Sequence, residues 1–132
     1  MCYILYGATD KAINNDDYEN ASRKSHYKLS IGTKHDVKMC IINDSYEFRV
    51  TDWVCDCDFP VGKGDENAEQ LVDLAGLICD LKNARDSKCI YIVKAWAGKR
   101  YKSEKRVHIN DIDIISFLAS METDCLYQID LR

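Results

Sequence analysis

The chain has 132 residues, 46% of them apolar and 30% charged, with a net charge of −4. That is the size and balance of one globular domain, and a single proline with six glycines excludes collagen-like and low-complexity classes. No run approaches the roughly 18 apolar residues of a membrane helix, and the start lacks the basic flank and apolar stretch of a secretory signal. The expectation is a single cytoplasmic domain over residues 1–132, with no membrane partner.

Cys2 to Gly7 is a short apolar run ending at glycine and reads as the first strand. Asp16 to Ala21 suits a short helix with acids in its first turn. From His26, the residues Tyr27, Leu29 and Ile31 alternate with polar neighbours as in a strand, and Gly32 breaks the run. Val37 to Ile42 and Tyr46 to Val50 read as a hairpin across Asn43-Asp44-Ser45. The apolar phase then slips by one residue. Trp53, Cys55, Cys57 and Phe59 now share a face and Asp52, Asp56 and Asp58 take the other, which predicts a bulge or a new strand near Thr51-Asp52.

Pro60-Val61-Gly62-Lys63-Gly64 ends that strand, and Asp65 is a good N-cap. Leu71, Leu74, Ala75, Ile78 and Leu81 follow helical spacing, widened by Val72 and Cys79, and predict a helix from about Glu66 to about Ala84. Cys89 to Ala97 is the strongest strand. Gly98 and a basic turn lead to a second hairpin arm, Tyr101 to His108. Asn110 or Asp111 caps a short helix with Ile114, Ile115, Phe117 and Leu118 on its apolar face, and Cys125 to Leu131 is the last strand. The order does not alternate as βαβ units. The fold class is therefore α+β, a mainly antiparallel sheet packed by one long and one short helix. Its expected core includes Ile4, Leu29, Ile41, Phe48, Leu74, Ile78, Ile90, Ile92, Phe117 and Ile129.

Seven cysteines are many for this length, and the odd count argues for reduced thiols rather than a disulfide scaffold. Cys55-Asp56-Cys57 is the most distinctive motif. Two thiolates there suit a soft metal, with Cys2, Cys40, His26 and His35 as further donors. Against that stands the strand pattern, which makes Cys55 and Cys57 core side chains, and the lack of a second close pair.

Other motifs are weaker. The glycines of Pro60 to Asp65 resemble a phosphate-loop fragment without its full spacing, and Asp56, Asp58, Asp65 and Glu66 are hard donors without EF-hand spacing. Met1-Cys2 resembles the start of glutamine amidotransferases that use an N-terminal cysteine. That resemblance implies an α-amine base, which Cys2 lacks while Met1 precedes it. Lys34-His35-Asp36 sets a base beside an acid, but strand neighbours face opposite ways.

Charge is segregated. Residues 52–73 carry seven acids against Lys63, whereas Lys99, Arg100, Lys102, Lys105 and Arg106 cluster with Glu104 alone. The basic segment is a candidate partner-binding surface, for an acidic protein, for a second copy of the chain or for nucleic acid. Together these features predict a small intracellular interaction or regulatory module without catalysis. The alternatives are a thiol- or metal-dependent protein centred on Cys55 and Cys57, or a nucleic-acid contact through Lys99 to Arg106. The cofactor is left open.

Overall fold

A computed structural model of the chain describes residues 2–11, 30–31, 46–51, 55–83 and 87–132. In chain order the elements are β1 (Tyr3–Thr9), β2 (Ser30–Ile31), β3 (Tyr46–Arg49), α1 (Glu69–Asn83), β4 (Cys89–Trp96), β5 (Ser103–His108), α2 (Ile114–Ser120) and β6 (Cys125–Asp130). A 3₁₀ turn, Ile109–Asp111, follows β5. The strands form one mixed sheet in the order β2-β3-β1-β4-β6-β5, antiparallel except for β5 beside β6. Among the described residues the predicted α+β class holds, with one mostly antiparallel sheet, one long helix and one short one.

Alternation along the strands divides the apolar residues between two faces. Leu5, Ile90, Ile92, Cys125, Tyr127 and Ile129 join Leu71, Leu74, Leu77, Ile78, Leu81 and Leu118 in the helix-side core. Ile4, Tyr6, Ala8, Cys89, Tyr91, Val93, Ala95 and Leu126 form a second buried cluster on the other face. Because both faces of β4 are covered, it reads as a continuous apolar run broken by one residue, Lys94. Of the expected core, Ile4, Leu74, Ile78, Ile90, Ile92 and Ile129 are buried and Phe117 is partly so, meeting Tyr127 edge-to-face. Leu29 and Ile41 lie outside the described residues, and Phe48 is placed only by its backbone in β3.

Three local expectations are corrected. The helix begins at Glu69, not Glu66, because Asp65 caps a separate turn: its carboxylate accepts the Asn67 N–H at 3.0 Å and its carbonyl accepts that of Ala68. Val72 and Cys79, expected to widen the apolar stripe, face solvent, and Leu77 is buried instead. The short helix is capped by Asp113, whose side chain accepts from the Ser116 N–H, rather than by Asn110 or Asp111. The predicted Asp16–Ala21 helix and the Val37–Ile42 arm lie outside the described residues.

The largest difference concerns β5. It is a strand, as expected, but not the hairpin partner of β4. The last strand, β6, inserts between them, pairing Ile92 with Tyr127 on one side and Lys105 with Tyr127 on the other. The reason is composition. Cys125 to Tyr127 is apolar and buried on both faces and needs a central position, whereas Ser103 to Arg106 is exposed and suits an edge.

The edge is tied by Arg106 Nε donating to Asp130 at 2.6 Å, and that contact holds the Asp130 carboxyl below its ordinary range. A lowered folded value stabilises the fold above the unfolded pKa of about 3.9, and the gain disappears as pH falls through the folded value. Asp130→Asn should therefore be less stable than wild type at pH 7, with the urea midpoints converging well below pH 4. Arg106 is exposed, so the difference should be small and should shrink in high salt.

Candidate metal centre

The site begins with unpaired backbone. β3 pairs with β1 only from Tyr6 to Thr9, which leaves the same edge open at Tyr3 and Leu5. Four backbone groups there need partners, because unpaired buried amides and carbonyls cost about 1–3 kcal/mol each. The chain after β3 supplies all four. The Val50 N–H donates to the Leu5 carbonyl at 3.2 Å and the Asp56 N–H to the Tyr3 carbonyl at 3.0 Å. The Leu5 N–H donates to Asp56 Oδ2 at 2.8 Å, and the Tyr3 N–H to Cys57 Sγ at 3.3 Å. Residues 55–57 thus continue the edge in place of a strand, using side chains where a strand would use carbonyls.

Asp56 is the centre of this arrangement. It is fully buried, and besides Leu5 it accepts from Thr51 Oγ1 and from Arg49 Nη2, the latter at 3.1 Å. The expected strand through Cys55 and Phe59 does not form. A turn closes instead, with the Phe59 N–H donating to the Asp56 carbonyl at 3.0 Å. The alternating pattern is reversed in meaning: Asp56 points inward, and Cys55 and Cys57 are half-buried rather than core. Trp53 lies outside the described residues.

Cys2 sits just before β1, its carbonyl accepting the Ala97 N–H at 2.8 Å, while the Tyr3 and Trp96 rings stack edge-to-face behind it. Fastening residues 55–57 to Tyr3 therefore brings both their thiols to Cys2. The sulfurs of Cys2, Cys55 and Cys57 all lie within 4.8 Å of one another, and all three residues are partly accessible. Three thiolates about 2.3 Å from one tetrahedral ion stand about 3.8 Å apart, inside this limit, so the spacing is compatible with coordination. The set is all-sulfur and suits soft or borderline ions such as Zn²⁺, Cd²⁺ and Cu⁺.

Lys94 was not anticipated. It is buried on the helix side of β4, with Nζ donating to the carbonyls of Cys57, Phe59 and Val61 at 3.3, 3.0 and 3.3 Å. Burial lowers its pKa and nearby Lys63 adds to that, while Cys57, Asp56 and Asp58 act the other way. A lone lysine in an eight-residue apolar strand is the signal that marked it.

The remaining candidates do not converge. Among the described residues no other group of three or more His, Cys, Asp or Glu donors comes together. Asp65 is used as a cap and Asp58 faces solvent. The N–H groups of Gly62 and Gly64, which a phosphate would need, donate to the Leu118 and Ala119 carbonyls. His26, His35, Lys34, Asp36 and Cys40 lie outside the described residues. In the basic segment, Lys99, Arg100 and Lys102 are exposed, while Lys105 pairs with Glu122 and Arg106 with Asp130. No helix among the described residues is long and apolar enough to cross a membrane. No protein-family model matches the chain, and no curated protein or solved structure is significantly similar to it.

Proposed function

We propose that this chain binds a soft metal ion through Cys2, Cys55 and Cys57. The observation that supports the reading is the convergence of three sulfurs from two distant segments within 4.8 Å, held by backbone and carboxylate bonds rather than by chance proximity of flexible ends. The Tyr3 N–H directed at Cys57 Sγ adds the kind of outer contact that orients a metal-bound sulfur. An ion held this way needs no catalytic group, so the reading is compatible with a small regulatory module.

Titration with Cd²⁺ tests it through the ultraviolet sulfur-to-metal charge-transfer band. One equivalent should saturate wild type and raise its melting temperature, by about 2.7 kcal/mol of added stability at a free concentration 100 times Kd. Cys2→Ser, Cys55→Ser and Cys57→Ser should each weaken binding more than about 100-fold, beyond the range of outer-contact losses. Cys79→Ser, on the exposed face of α1, should bind as wild type does. A featureless titration of reduced wild type would end the proposal.

A further inference from the structure

Away from the thiol cluster, a cleft of about 290 Å³ opens beside the second apolar cluster, lined by Tyr91, Glu104, Lys105, Arg106, Leu126 and Gln128. Its size is near the lower end of small-molecule sites, about 300 Å³. Strand register builds it. Tyr91, Gln128 and Arg106 are direct partners across β4, β6 and β5, and Leu126 is the partner of Glu104. Tyr91 and Leu126 are buried and give the cleft an apolar floor. Residues two apart on a strand share a face, so Glu104 and Arg106 stand on one side of β5, about 6.7 Å apart along it.

These opposite charges do not neutralise each other. Arg106 Nε donates to Asp130 Oδ2 at 2.6 Å, and Gln128 Nε2 donates to the other Asp130 oxygen at 3.0 Å. Glu104 Oε1 accepts from the Tyr101 hydroxyl at 2.8 Å, and among the described residues no cation pairs with this carboxylate. Lys105, the remaining charged residue of the lining, pairs with Glu122. Arg106 thus keeps its Nη groups, and Glu104 its second oxygen, for a ligand of the opposite charge.

The geometry points to a binding site for a small zwitterion, an α-amino acid with an apolar side chain. The carboxylate meets Arg106, whose fork suits it. The ammonium meets Glu104, and the side chain lies against Tyr91 and Leu126. An α-amino acid carries these three groups on one carbon, which lets a single small molecule reach all three walls. A plain anion fits less well, because Glu104 repels it. The site shares no residue with Cys2, Cys55 and Cys57, so it stands or falls apart from the metal reading.

NMR titration of the whole ¹⁵N-labelled chain with L-leucine tests the site. Saturable shifts should appear at the Arg106, Leu126 and Gln128 amides, with a dissociation constant on the order of millimolar, since both charged contacts are exposed to solvent. N-Acetyl-L-leucine lacks the ammonium and L-leucinamide the carboxylate, and each should bind about 10-fold more weakly, the worth of one charge-assisted hydrogen bond. Glycine, with no side chain for the floor, should also bind roughly 10-fold more weakly. Glu104→Gln should weaken leucine by a similar factor without weakening N-acetyl-L-leucine, and Arg106→Gln should weaken leucine without weakening L-leucinamide.

If either variant does not fold, the analogues on wild type still decide. No saturable shift at any soluble concentration of leucine overturns the site. Equal binding of all the compounds overturns it too, leaving a non-specific groove. N-Acetyl-L-leucine binding more tightly than leucine overturns the zwitterion in favour of a plain carboxylate.

Discussion

Asp56→Ala is expected to cost about 3 kcal/mol or more and to abolish tight Cd²⁺ binding in whatever fraction still folds. The carboxylate is fully buried and accepts from the Leu5 N–H, the Thr51 hydroxyl and Arg49. Removing one partner of a buried ion pair costs about 3–5 kcal/mol. The lower end applies because the Arg49 side chain is 17% exposed and can be partly rehydrated. The orphaned Leu5 amide adds about 1–3 kcal/mol unless water reaches it. Asp56→Asn separates the two effects: it keeps the shape and an acceptor oxygen, so it should lose less stability than the alanine variant. Urea denaturation of both variants, paired with Cd²⁺ titration below the transition, reads the two consequences. A stable Asp56→Ala that binds Cd²⁺ normally would mean that the 55–57 segment holds its place without this anchor.

The fold was largely legible because its determinants are periodic. Leu71, Leu74, Ile78 and Leu81 mark α1, and the run from Cys89 to Trp96 marks β4. What periodicity does not carry is pairing. Nothing local to Ser103–His108 says that its neighbour is β6 rather than β4; that follows from which strand must be covered on both faces.

The site shows the same division. Cys55 and Cys57 were visible as a motif, and Cys2 as a possible third donor. The alternation from Trp53 to Phe59 argued for a strand and hid the reversal at Asp56. A fully buried aspartate bonded to Leu5, across 51 residues of chain, is a tertiary fact with no local signature. Lys94 was legible in principle: a lysine among seven apolar residues of a strand has to meet acceptors that only the folded loop provides.

Gly62→Ala is expected to destabilise the fold by about 3 kcal/mol and to disturb the far end of the same loop. Gly62 has φ +77, a left-handed conformation that costs a residue bearing Cβ about 1–2 kcal/mol. The added Cβ would stand 2.5 Å from the Met121 carbonyl oxygen, which is backbone and cannot swing aside. Relief therefore means moving the loop off α2, where the Gly62 and Gly64 N–H groups donate to the Leu118 and Ala119 carbonyls at 2.9 and 2.8 Å. Those are carbonyls at a helix C-terminus with no partner in their own helix, so the loop caps α2 from outside. The neighbouring Val61 carbonyl also holds Lys94, so displacement at Gly62 is transmitted to the ammonium and onward to Cys57. Gly64→Ala is the control. Its φ is also positive, at +78, but its Cβ would meet nothing within 4 Å, so only the conformational part of the cost should appear. Thermal melts of the two variants should differ by several degrees, with Gly62→Ala lower, and Cd²⁺ affinity should fall for Gly62→Ala alone. Equal melting temperatures would mean that the loop is not seated on α2, and unchanged Cd²⁺ affinity would uncouple Lys94 from the capping loop.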